Sequence, residues 1–270
     1  YPGHILTARL LQQDGKPDLA VPHYRKALEK NWSSELQMEL GELFIKTEQY
    51  SQAASLYKEI IEREGHNESA RIALVHVYLL QKKDAQALEE LNNLKTFVEQ
   101  PQRVDLTIAR LYAKQKHFDK AMAITEQILA RENLPEARFF LAVLLTQARK
   151  YEKALKQIRQ IGRNEEEFAE AFSLQIKILR ELKRLDEAIG LLEENAAIDD
   201  QARSGEMFIM LAALYQQQGR DDLSRKALQR GLEAYPDDED LLYEYGLVLE
   251  NSGEHSAALD VMQRIVELKP

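Results

Sequence analysis

Apolar and polar positions along this chain repeat as a set of columns about 34 residues apart. One column, in the second half of each unit, reads Ala20, Ala53, Ala87, Ala121, Ala154, Ala188, Ser224 and Ala258, with spacings of 33, 34, 34, 33, 34, 36 and 34. Twelve residues earlier stands a mostly small column: Ala8, Gly41, Val75, Ala109, Ala142, Ile176, Ala212 and Gly246. Three residues after that comes a large apolar one: Leu11, Phe44, Tyr78, Tyr112, Leu145, Leu179, Tyr215 and Leu249. Four residues after the alanine column comes another: Tyr24, Tyr57, Leu91, Thr125, Ile158, Leu192, Leu228 and Met262.

Offsets of three and four keep residues on one face of an α-helix, so each unit predicts two amphipathic helices. Small residues let two helix backbones approach closely, and large ones fill the space beside the crossing. The unit is therefore an antiparallel helix hairpin, with turns expected near residues 15, 48, 82, 116, 149, 183, 219 and 253. A single hairpin leaves an apolar flank that only the next can cover, so stability is shared between neighbours. Such an array is expected to unfold in stages rather than in one sharp two-state step.

Composition agrees with helix throughout: 44% hydrophobic, 30% charged, only 11 Gly and 7 Pro in 270 residues. The formal net charge of −9, with no basic stripe to oppose it, argues against nucleic acid and anionic membranes as partners. Cysteine is absent, which removes disulfides and thiolate chemistry and leaves the compartment open between cytoplasm and periplasm. No apolar run approaches the roughly 20 residues of a membrane-spanning helix. The start at Tyr1-Pro2-Gly3-His4 and the apolar face of Met262, Ile265 and Val266 at the other end are those expected of a piece of a longer protein.

The small residue, the aromatic three on, the Ala twelve on and the Pro twelve beyond that resemble the tetratricopeptide repeat. Leu40-Gly41, Tyr245-Gly246, Tyr235-Pro236 and Lys269-Pro270 match best, and the resemblance covers the chain as eight units: 1–33, 34–67, 68–101, 102–134, 135–168, 169–204, 205–238 and 239–270. It implies a single all-α, right-handed superhelical solenoid. Departures from the pattern are the absence of an early Trp, Val75 and Ile176 in the small column, and Trp32, Gly65, Glu99 and Asn133 where the first four closing prolines would stand. These junctions are expected to be less sharply fixed. The spacing of 36 places two extra residues near Asn195 to Gly205, which predicts a longer loop and a local irregularity.

The resemblance also implies that the first helix of each hairpin lines a concave groove. In units two to five the groove-facing columns bring together Met38, Ile45, Ile72, Leu79, Leu106 and Phe139, edged by Glu42, His76 and Arg110. An apolar or amphipathic segment of a partner protein is the expected ligand. The competing reading is that these side chains only support the packing between first helices; full burial would remove a residue from the binding set. Ile5, Met38 and Ile72 occupy the column where a co-chaperone clamp places Lys, which argues against capture of a chaperone's acidic C-terminus.

Enzyme chemistry finds no foothold. The six His form no i, i+4 pair and no HExxH arrangement, so no metal or other cofactor is expected. Gly15, Gly219 and Gly253 fit turns, and Gly41 and Gly246 fit helix crossings, not a phosphate loop. The acidic runs 165–167 and 237–240, and Ser33-Ser34 before Glu35, read as helix-start caps. Trp32, the single Trp, stands at the junction of the first two hairpins as either a packing plug or an exposed anchor, with packing the favoured reading. The expected role is a protein-binding scaffold or adaptor. The alternative is a regulatory or substrate-presenting region of a larger enzyme or of a secretion or polysaccharide-export assembly.

Overall fold

The computed structural model describes residues 2–197 and 205–268. Within them the backbone forms sixteen α-helices and no strand. The first eight helices are α1 (Pro2–Gln13), α2 (Pro17–Lys30), α3 (Ser34–Lys46), α4 (Tyr50–Arg63), α5 (Glu68–Leu80), α6 (Asp84–Leu94), α7 (Pro101–Lys114) and α8 (Phe118–Leu129). The second eight are α9 (Pro135–Gln147), α10 (Tyr151–Ile158), α11 (Phe168–Glu181), α12 (Leu185–Ala197), α13 (Gly205–Gln217), α14 (Asp221–Ala234), α15 (Glu239–Asn251) and α16 (His255–Leu268). Seven successive pairs, α1–α2, α3–α4, α5–α6, α7–α8, α11–α12, α13–α14 and α15–α16, pack as hairpins, and all sixteen helices keep the expected register. The chain comprises two compact units, Tyr1–Leu144 and Leu145–Pro270.

Every hairpin turns by the same device. Gly15, Glu48, Lys82, Lys116, Arg149, Lys183, Gly219 and Gly253 all have φ between 56° and 79°. The next residue's N–H then donates back to the carbonyl of the large apolar column, as from Gln49 to Phe44 (2.7 Å), Lys83 to Tyr78 (2.8 Å) and Glu254 to Leu249 (2.9 Å). This double-bonded helix stop satisfies carbonyls that would otherwise lack partners. The left-handed conformation costs a residue with a Cβ about 1 kcal/mol, and five of the eight turns bear that cost with a charged residue.

The columns form the core. No member of the alanine column is more than 5% exposed, and every member of the small column is buried. In the first unit the core runs from Ala8 to Leu111 without a break. Gly41 shows why that column is small. A Cβ there would sit 2.5 Å from ring carbons of Tyr57, whose side chain is itself fully buried and has nowhere to go. Gly246 faces Met262 similarly, with the methyl carbon at 2.4 Å, but a methionine tip can swing aside.

Helix starts follow the capping chemistry in part. Ser33 accepts from Leu36 N–H (3.3 Å), Asn67 from Ala70 N–H (2.8 Å) and Asp238 from Leu241 N–H (3.0 Å). Glu167, the cap residue of α11, makes no such bond, so there the acidic run acts at most through the helix dipole. Trp32 is half-buried against the core, with Arg63 over its ring at 4.7 Å. The loop expected around Asn195 to Gly205 lies, between 198 and 204, outside the described residues.

Candidate functional site

Helices α3, α5, α7 and α9 place the expected groove residues of the first unit at three depths. Ile72 on α5 is 50% exposed, and Glu42, His76 and Arg110 are exposed. Met38, Ile45, Leu79 and Phe139 are half-buried, each showing part of an apolar side chain. Leu106 requires a correction. At 1% exposure it packs with Ile128 and Ala137 in a small core joining α7, α8 and α9, so it cannot touch a ligand. The cause lies in α7, where Val104, Leu106, Ile108, Ala109 and Leu111 are all buried and little apolar surface is left to present.

Beside Ile72 opens a cleft of about 630 Å³. Its walls are Val75, Leu91, Leu94, Phe97, Val98 and Val104, with Glu68, Glu99 and Arg103 at its edges. Phe97 and Val98, on the connection from α6 to α7 at residues 95–100, pack against the core and line the cleft. That junction is held. Arg71 donates to Glu90 (2.7 Å) and to the Gly65 carbonyl (3.2 Å), its guanidinium lies 5.4 Å from the Phe97 ring, and His66 meets that ring edge-on at 5.2 Å. The column reading missed Phe97 and Val98 because loop residues have no column, and Arg71, on α5, because it stands outside the columns used to read the core and the groove.

The charged edges are partly committed. Arg110 donates to Glu136 (2.7 Å) and lies 5.8 Å from the Phe140 ring. Glu39 on α3 accepts from Arg9 Nε (3.0 Å) and from Tyr24 Oη (3.0 Å), tying the first two hairpins. Burial pushes against the Glu39 charge, but these two hydrogen bonds outweigh it and hold the carboxyl below its usual range. The Tyr24 hydroxyl is pushed up, first by burial and then by that same carboxylate. One pairing escaped the sequence reading: His4 and His23, nineteen residues apart, bring their Nδ1 atoms to 3.2 Å across the α1–α2 hairpin. Among the described residues no helix is long and apolar enough to cross a membrane.

Repeated hairpins with short turns, a shared core and partly exposed apolar side chains on successive helices define an all-α repeat protein, built as a solenoid that offers surface to other molecules. The comparisons with known proteins agree. Two family models described as "Tetratricopeptide repeat" match, one at residues 5–65 and 209–270 and the other at 44–97, together more than half of the chain. A third, described as "Anaphase-promoting complex, cyclosome, subunit 3", matches 114–195. The chain belongs to the tetratricopeptide repeat family, whose members act generally as scaffolds for protein interaction.

Solved structures show the same fold at low identity. The crystal structure of a tetratricopeptide repeat protein from Parabacteroides merdae is 14% identical, with a TM-score of 0.52 over 92% of this chain and 98% of that one. The C-terminal part of a TPR repeat-containing protein from Cytophaga hutchinsonii is 11% identical, with a TM-score of 0.62 over 86% of this chain and 95% of that one. No curated protein sequence matches the chain.

Proposed function

We propose that this protein is a scaffold that holds an apolar or amphipathic segment of a partner protein on the first unit, at Met38, Glu42, Ile45, Ile72, His76, Leu79, Arg110 and Phe139. The observation that carries the reading is Ile72. A β-branched apolar side chain left 50% exposed, lining a largely apolar cleft of about 630 Å³, gains from being covered. The cleft offers room for one anchoring side chain of the partner, and Glu42 and His76 supply a polar rim. Leu106 is no part of this surface.

The test is affinity capture with mass spectrometry from the source cells, comparing the native chain with Ile72→Glu and Leu79→Glu variants of intact helicity. A partner held by the native chain should be lost from both variants. Identical partners on all three would move binding elsewhere and return the apolar residues to a packing role.

A further inference from the structure

His4 on α1 and His23 on α2 bring their Nδ1 atoms to 3.2 Å. The ring centres are 5.3 Å apart, so these nitrogens are the corners that face each other, and the ring planes are tilted by 58° rather than stacked. The core of the first hairpin fixes both residues. His4 stands one helical turn before Ala8, and His23 lies beside Tyr24 between Ala20 and Ala27, and all four of these neighbours are fully buried. The two imidazoles are half-buried, with part of each side chain left in contact with solvent. Spacing within one helix could not reveal this pair, because its members come from two helices and lie nineteen residues apart.

Two nitrogens bound to one ion at about 2.0–2.1 Å stand roughly 2.9 Å apart at a right angle and roughly 3.3 Å apart at the tetrahedral angle. The observed 3.2 Å falls inside that range. Neutral imidazole suits the late first-row divalent ions, whereas Mg²⁺ and Ca²⁺ require oxygen. Among the described residues no three or more His, Cys, Asp or Glu gather to hold a metal, so two positions come from the rings and water fills the others. We propose that His4 and His23 chelate a divalent ion of the copper, nickel or zinc class through both Nδ1 atoms, clamping α1 to α2. Without metal, one Nδ1–H donates to the other ring. On binding, that ring carries its proton on Nε2 instead, which frees both Nδ1 lone pairs and leaves each imidazole neutral. No residue of α1 or α2 lines the cleft beside Ile72, so the two sites are separate.

The full chain is titrated by calorimetry with Cu²⁺, Ni²⁺, Zn²⁺ and Mg²⁺, and with Zn²⁺ again while the histidine ring signals are followed by NMR. Cu²⁺ should bind more tightly than Ni²⁺ or Zn²⁺, and Mg²⁺ should not bind. On the native chain Zn²⁺ should shift the His4 and His23 ring signals together and saturably. His4→Ala and His23→Ala, each of unchanged helicity, should weaken Zn²⁺ binding at least about tenfold, because the second imidazole otherwise acts from a fixed position. His255→Ala, which removes the exposed imidazole beside Glu250, should leave it unchanged. Zn²⁺ should also raise the thermal midpoint of the native chain but not of the His4 and His23 variants, since an unfolded chain does not hold the two rings together. Equal Zn²⁺ affinity in the native chain and both variants, or shifts confined to other histidines, would overturn the proposal and leave the pair a hydrogen bond between rings.

Discussion

Hairpins two (α3–α4) and three (α5–α6) are neighbours in one unit and fill the same columns with different residues. In the small column and the column four after the alanine, hairpin two has Gly41 and Tyr57, whereas hairpin three has Val75 and Leu91. All four are buried. What the columns require is a shared volume, with the smallest residue opposite the largest, so neither column can be read alone. Two residues before the small position, hairpin two places Glu39 in a network with Arg9 and Tyr24, and hairpin three places Ala73. Hairpin three instead leaves Ile72 exposed over an open cleft. Both carry an ion pair, but hairpin two ties Glu39 back to Arg9 and Tyr24 of hairpin one, whereas hairpin three keeps Arg71–Glu90 within itself and leaves apolar surface at Ile72 available.

The sharpest way to break this comparison is to move one residue across it. Gly41→Val should cost about 3 kcal/mol in chemical unfolding, because the Tyr57 ring is fully buried and cannot retreat. Adding Tyr57→Leu, which rebuilds the Val and Leu pair of hairpin three, should make the double variant more stable than Gly41→Val alone. A double variant weaker than the single one would show that the two columns do not share volume.

Polar residues inside the columns extend the comparison to the second unit. Thr125 is fully buried but donates to the Ala121 carbonyl (2.7 Å), whereas Ser224, the one departure from the alanine column, has a buried hydroxyl with no partner. Ser224→Ala should therefore stabilise the second unit by about 1 kcal/mol, and a loss of stability would mean that the hydroxyl is bonded.

The smallest effect concerns acid. Glu39 has a folded-state pKa below its unfolded value of about 4.3, so its contribution is complete above that pH and is lost as pH falls through the folded value. Arg9 is about half exposed, which keeps the contribution below about 1 kcal/mol. Comparing Glu39→Gln with the native chain in urea at pH 6 and pH 3 should show a shallower acid loss in the variant. Equal slopes would assign the acid sensitivity to other carboxylates.

The sequence by itself determined the sixteen helices, their register and their turns, because a column repeated across the whole length reports packing that every unit shares. Gly15, Gly219 and Gly253 even announced their left-handed turns, and the other five turns followed only from the register, since a charged residue at 48, 82, 116, 149 or 183 carries no such signal. The tertiary structure alone decided which side chains of a predicted face remain free. Leu106 and Ile72 stand in the same column, yet one is sealed by Ile128 and Ala137 and the other is open to solvent. It alone also brought His4 to His23, folded Phe97 into a cleft and left the Trp32 indole N–H and Gln37 Oε1 without hydrogen-bond partners. Periodicity records what each hairpin shares with the others. Exposure and unpaired groups depend on contacts between particular hairpins, and no single column records those.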